Sequence, residues 1–90
     1  MNRREQWRKV LDVEMQRWLD APYEQLISAL RDQQAYELEF DSKLYQVEIE
    51  ILEDTKESIH VMVAVDDGSL PASMLPVTDS FIRNKPRSGM

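Results

Sequence analysis

The stretch that decides the fold is residues 36–65, which read YELEFDSKLYQVEIEILEDTKESIHVMVAV. Apolar and polar residues alternate along Tyr36–Phe40 and Tyr45–Ile51, and in the third run Ile59, Val61, Val63 and Val65 alternate with His60, Met62 and Ala64. A two-residue period sends neighbouring side chains to opposite faces of a sheet, so each run predicts a strand with one apolar face. Because only short polar segments separate the runs, we expect an antiparallel three-strand meander with the second strand in the centre.

The first hairpin takes its predicted register from the facing of apolar side chains. If Ser42–Lys43 form the tip, Phe40 faces Tyr45, and each apolar residue of one strand meets an apolar residue of the other. The same register places Glu37 opposite Glu48 on the outer face of the sheet. Two like charges in direct opposition destabilise a sheet mildly, so this pair is expected to be unfavourable.

The second hairpin is predicted to turn at residues 53–57, which are all polar. The corresponding register sets Ile51 opposite Ile59 and places His60, the only histidine of the chain, beside Glu50 on the outer face. A carboxylate next to an imidazole can orient it as a general base. Such a base also needs a nucleophile or a bound substrate, so a polar cross-strand pair without catalytic role is the simpler interpretation.

Two helices are predicted before the sheet. The first covers about residues 3–20, and the second covers about residues 22–33, with Asp20 as a candidate N-cap and Pro22 in the first turn. We expect the helices to cover the apolar face of the sheet, with Trp18, Leu38, Val47, Ile49 and Val61 among the most buried side chains. The apolar stripe of the first helix is formed by Trp7, Val10, Leu11, Met15, Trp18 and Leu19.

This order of elements predicts an α+β fold, with two N-terminal helices packed on a three-stranded antiparallel meander. The arrangement is ααβββ, followed by an irregular C-terminal arm or a short edge strand over residues 77–82. Nearby prolines argue against a central strand there, and residues 69–74 could form one helical turn. Residues 1–83 are expected to form a single α+β domain, and residues 84–90 a flexible C-terminal tail.

Composition excludes several classes of chemistry. The 90 residues include no cysteine and only two glycines, so disulfides, thiolate metal sites and glycine-rich phosphate loops are ruled out. Ten acidic residues stand against two basic ones in residues 35–67, and the chain carries a net charge of −6. Such a surface repels a phosphate backbone, so nucleic-acid binding is not expected.

No apolar run approaches the ~20 residues of a membrane span, and a cytoplasmic protein is expected.

The acidic strands could in principle gather a hard cation, since Glu37, Glu48 and Glu50 lie on one predicted face. Calcium sites use loop carbonyls and flexible carboxylates, whereas these side chains come from regular strands. Solvation of the sheet is the preferred interpretation. We therefore expect no metal site and no cofactor.

An apolar patch on the outer face favours protein interaction. Met62 and Ala64 point away from the predicted core, and Leu52 joins them near the second hairpin. Either the C-terminal segment at residues 70–82 or a second copy of the chain would cover this patch.

The function predicted from these features is a small non-catalytic protein-interaction or regulatory module. It is expected to self-associate as a homodimer and to bind a protein partner of basic character. The alternative is a small-molecule-binding or hydrolytic domain that uses the pair Glu50 and His60.

Overall fold

A computed structural model describes residues 3–32, 35–68 and 76–86. These residues form two helices and one antiparallel sheet with the strand order β1-β2-β3-β4. The α+β class is confirmed, but the expectation of three strands is wrong because the sheet has a fourth. The elements are α1 (Arg3–Asp20), α2 (Tyr23–Asp32), β1 (Ala35–Phe40), β2 (Lys43–Asp54), β3 (Ser58–Asp66) and β4 (Val77–Asn84).

The fourth strand corresponds to the edge-strand alternative for the C-terminal segment. It pairs with β3 from Val65↔Val77 to Ser58↔Asn84. Just beyond it, the Lys85 backbone N–H donates to the carbonyl oxygen of Glu57 at 2.7 Å. The helical turn considered for residues 69–74, and residues 87–90 of the predicted tail, lie outside the described residues.

The first hairpin differs from its predicted register by two residues. Its tip is formed by Asp41 and Ser42, which adopt φ angles of 52° and 64°. Positive φ at both central residues is the conformation of a type I′ turn, whose twist matches that of the flanking strands. Phe40 therefore pairs with Lys43 rather than with Tyr45. A two-residue shift leaves every side chain on its predicted face.

This shift also removes the predicted direct opposition of two glutamates. Glu37 pairs with Gln46, and Glu48 pairs with Ala35. The expectation that Glu37 faces Glu48 is thus wrong, and the two carboxylates are diagonal neighbours on the outer face. Their repulsion acts over a longer distance than in a directly opposed pair.

The second hairpin is also shifted, because β2 extends to Asp54 and the turn is shorter than predicted. Ile51 pairs with Val61 instead of Ile59, and a β-bulge follows between Ile51 and Glu53. The turn is held by Thr55, whose backbone N–H donates to the carbonyl oxygen of Ser58 at 2.9 Å. The bulge inserts one residue into β2, so the facing residues beyond it change.

The core lies between the helices and one face of the sheet. Helix α1 packs on β3 and β4, and α2 packs on β2. Trp18, Val47, Ile49 and Val61 are buried as predicted, whereas Leu38 is only half-buried because β1 is an edge strand. In α1, the buried stripe includes Glu14, while Met15 is half-buried and Leu19 is exposed. The buried apolar residues of α1 are Trp7, Val10, Leu11 and Trp18.

The C-terminal end of α1 is held by a side chain from β4. The Arg83 guanidinium donates to the carbonyl oxygens of Trp18 at 2.8 Å, Leu19 at 2.7 Å and Ala21 at 2.8 Å. The last carbonyls of a helix have no partner within the helix, so Arg83 supplies donors that this terminus lacks. Its positive charge also lies at the negative end of the helix dipole.

Candidate interaction surface

The outer face of the sheet, which points away from both helices, is acidic. Alternation along the strands places six carboxylates on it, and no lysine or arginine of the four strands shares that face. Of the six, Asp66 alone has a partner among the described residues, since its Oδ1 accepts a hydrogen bond from the backbone N–H of Gly68 at 2.6 Å. The other five have no hydrogen bond or ion pair with the described residues. They are Glu37, Glu39, Glu48, Glu50 and Glu53.

The residues predicted as an apolar interaction patch differ in accessibility. Leu52 is 48% exposed, Met62 is half-buried, and Ala64 is only 5% exposed. Among the described residues, the most exposed large apolar side chain of this face is Ile82 on β4, at 66%. Sequence reasoning missed Ile82, although Phe81 and Ile82 are adjacent in a strand, so one of them has to face outward.

The structure does not pair the two residues of the predicted catalytic alternative. Glu50 pairs with Met62, and His60 pairs with Glu53 across the bulge. The imidazole instead contacts β4, where His60 Nε2 lies 2.9 Å from Ser80 Oγ. A serine hydroxyl next to an imidazole is the first element of a nucleophile activated by a base. Acyl transfer also needs oriented donors for the developing oxyanion, and the backbone N–H of Ser80 is already bound to Asp79 Oδ1 at 2.8 Å.

Described residues line three of the surface depressions, and His60 lines none of these three. One, of about 480 Å³, lies between α1 and the tip of the first hairpin, at Lys9 and Asp41. Another, of about 280 Å³, lies on β1 and β2 around Tyr36 and Val47. The third, of about 300 Å³, separates α2 from β2, and we call it the helix–strand groove.

The helix–strand groove has an apolar floor and a charged rim. The floor is formed by Ile27 and Leu30 of α2 and by Ile51 and Ile59 of the sheet. The rim carries Tyr23, Arg31, Asp54 and Lys85, and an ion pair joins Lys85 to Asp54. Ile51 belongs to the inner face of the sheet but remains 41% exposed, because the groove opens above it.

A buried polar cluster ties the edge strand β1 to α1. The Tyr36 hydroxyl donates to Glu14 Oε1, and it accepts a hydrogen bond from Trp18 Nε1 at 2.9 Å. Arg17 Nη1 lies 3.1 Å from the same carboxylate oxygen, and the guanidinium lies 4.8 Å from the centre of the Trp18 ring. Burial, reinforced by the hydrogen bond to Glu14, raises the pKa of Tyr36 well above its usual range.

This cluster was not predicted from the sequence, although a signal was present. Glu14 lies seven residues after Trp7 and four before Trp18, and this spacing places it on the apolar stripe. Glu14 is 5% exposed, and a carboxylate buried to this degree requires hydrogen-bond partners. No buried side-chain nitrogen or oxygen of the described residues lacks a partner.

Neither a metal centre nor a membrane span is formed by the described residues. No three side chains of histidine, cysteine, aspartate or glutamate gather there in a way that would hold a metal ion. Within the same residues, neither helix combines the length and the apolar character needed to cross a membrane.

Comparisons with protein-family models, with curated proteins and with solved structures found no match to this chain.

Proposed function

We propose that this protein is a small interaction module whose acidic outer face binds a basic segment of a partner protein. The observation that carries the proposal is the set of five outer-face carboxylates without a partner among the described residues, on a face without strand lysine or arginine. Charge complementarity of this kind speeds encounter and rejects acidic partners. A cytoplasmic setting belongs to the same proposal, since the chain has no cysteine with which to form disulfides.

The apolar residues of the same face supply the centre that such an interface needs. Exposed Leu52 and Ile82 lie on the two strands next to the strand of half-buried Met62, whose direct cross-strand partners are Glu50 and Ser80. Interfaces gain most of their affinity from a desolvated apolar centre, while charges at the rim set specificity. A partner with basic residues around an apolar anchor fits this distribution best.

The test is capture of a partner by the tagged protein from its native host, followed by mass spectrometry. The double variant Glu48→Gln/Glu50→Gln removes two charges from the outer face. The control Glu24→Gln/Glu57→Gln removes the same charge from α2 and from the turn before β3. We expect a basic protein that the parent and the control capture and the outer-face variant does not. Equal capture by both variants would contradict the proposal.

Self-association is a second candidate, and exposure of Ile82 favours it. The outer-face positions of β4 beside Ile82 are uncharged: Thr78, Ser80 and Asn84. Two copies paired along β4 in a closed dimer would keep the acidic strands β1 and β2 of each copy apart. Sedimentation at high micromolar concentration tests this: conversion of a dimer to a folded monomer by Ile82→Glu supports it, and a monomeric parent refutes it.

A hydrolytic role is the remaining alternative. The contact between His60 and Ser80 makes these two residues better candidates for it than the pair Glu50 and His60. A fluorophosphonate probe, which reacts with activated serines, gives a direct test. Labelling of Ser80 that is lost in His60→Ala would support a nucleophile, while absence of labelling in the parent would rule this chemistry out.

A further inference from the structure

The helix–strand groove runs beside a part of β2 that has no neighbouring strand. β1 begins at Ala35, opposite Glu48, whereas β2 continues to Asp54. In the described part of the chain, no strand pairs with β2 beyond Glu48 on the β1 side. Unpaired backbone groups at a sheet edge are ready to bind another extended chain.

The hairpin geometry indicates which backbone groups of β2 point toward its open edge. A two-residue turn is closed by a hydrogen-bonded pair, here Phe40 and Lys43, and hydrogen-bonded positions recur at every second residue. Counting from Lys43, the N–H and C=O of Ile51 point toward the β1 side. The β-bulge begins directly after Ile51, so the regular edge ends there.

The two sides of this edge differ in character, and the difference defines the occupant. On the groove side, a bound side chain would meet Ile27, Leu30 and Ile59, with Arg31 at the rim. On the outer side, it would meet the unpaired carboxylates of Glu50 and its neighbours. An extended segment sends alternate side chains to these two sides, so apolar residues suit the groove and basic residues suit the outer face.

A second copy of this chain does not fit the same edge. The outer-face positions of its β4 carry no lysine or arginine that could meet Glu50, and its strands β1 and β2 alternate apolar residues with glutamates, as in Val47–Glu50. Pairing such a strand beside β2 would set glutamates against Glu50 and Glu53, and directly opposed like charges are destabilising. The occupant is therefore a different protein.

We propose that the helix–strand groove binds an extended partner segment in which apolar and basic residues alternate, and that this segment pairs with β2 at Ile51. The proposal rests on the proposed function, because it assumes a basic partner, and it adds the place and the mode of binding. Main-chain hydrogen bonds to the edge supply affinity, and the groove selects the apolar side chains.

The experiment is an NMR titration of the full chain with short synthetic peptides. One peptide alternates valine with lysine, a second alternates serine with lysine, and a third alternates valine with glutamate. We expect the valine–lysine peptide to bind about tenfold more tightly than the serine–lysine peptide, because its apolar side chains are buried in the groove. The amide signal of Ile51 should shift on binding.

Two matched variants test the location. Ile51→Ser should abolish the preference for valine over serine, whereas Val13→Ser, which changes an exposed apolar residue of α1, should leave it unchanged. Both positions are partly exposed, so neither change removes a fully buried core side chain. Loss of the preference in both variants, or in neither, would overturn the groove assignment.

The remaining outcomes separate the two proposals. Equal binding of both lysine peptides, weakened by Glu48→Gln/Glu50→Gln, would leave the basic-partner function standing and overturn the groove. If the valine–glutamate peptide binds as tightly as the valine–lysine peptide, the role of charge in both proposals is overturned. Failure of every lysine peptide to bind at millimolar concentration would overturn the groove assignment; the capture experiment, which does not depend on the groove, would then decide the function.

Discussion

Replacement of Tyr36 by phenylalanine removes the hydroxyl group from the buried cluster, and two residues each lose a hydrogen bond. Glu14 loses the hydroxyl that donates to its carboxylate, and Trp18 Nε1 loses its acceptor. A hydrogen bond to a charged group contributes about 1.5–3 kcal/mol, and an unsatisfied buried donor costs about 1–3 kcal/mol. Tyr36 itself is only half-buried, so water relieves part of this cost, and we expect a loss of about 3 kcal/mol.

A loss of this size is large for 90 residues, because domains of this length have a total stability of about 5–13 kcal/mol. For a domain of this size, each kcal/mol lowers the midpoint of thermal unfolding by about 4–8 °C. The Tyr36→Phe variant should therefore melt about 12–24 °C below the parent. Urea unfolding followed by tryptophan fluorescence gives an independent measure, since Trp18 belongs to the cluster.

The matched control is Tyr23→Phe, which removes a hydroxyl that makes no hydrogen bond with another described residue. Its stability should stay within about 0.5 kcal/mol of the parent. A double-mutant cycle with Glu14→Leu then measures the coupling between Glu14 and Tyr36. If the two substitutions add within about 0.5 kcal/mol, the hydroxyl and the carboxylate do not stabilise each other, and the reasoning fails.

Four further predictions follow from the packing and the charges. Ile49→Ala should cost about 2–5 kcal/mol in urea unfolding, and a melt within a few degrees of the parent would mean that β2 is not central. Arg83→Met should cost about 1–3 kcal/mol, clearly more than Arg31→Met, because Arg83 donates hydrogen bonds to the end of α1 and Arg31 lies on α2. Glu48→Lys should stabilise by about 0.3 kcal/mol, since its neighbours on the outer face are acidic; a lower melting temperature would show that Glu48 has a cationic partner. Because the pKa of Tyr36 is raised in the folded state, the unfolded chain loses this proton first, and stability should fall above pH 10. That fall should be smaller in Tyr36→Phe, and equal slopes would contradict the shift.

Periodicity predicted the helices and the first three strands, but not how the strands pair. Two registers that differ by two residues place the apolar side chains on the same face of the sheet, as the pairing of Phe40 with Lys43 shows. The choice between them was made by the turn, where Asp41 and Ser42 both adopt positive φ. That conformation is most strongly signalled by asparagine–glycine or aspartate–glycine, and the sequence has neither at this position.

The candidate surface was predicted in outline only, because its details depend on contacts between distant residues. The acidic character of the outer face followed from composition. The contact of His60 with Ser80 could not be predicted without β4, which the prolines had made uncertain. The burial of Glu14 was not predicted, because it depends on Tyr36, which lies 22 residues later in the chain.

The hydrogen bonds from Arg83 to the end of α1 have a consequence for the order in which the molecule folds. The hydrogen bonds that hold this helix end join residues 62 to 65 positions apart, and α1 packs mainly on the third and fourth strands. Helix α1 is therefore synthesised before the strand that holds its end, and it reaches its native place only once β4 is present. Folding should begin in the local hairpins, and α1 should dock late, after β4 has been synthesised. Until then its apolar stripe, which includes both tryptophans, is open to chaperones.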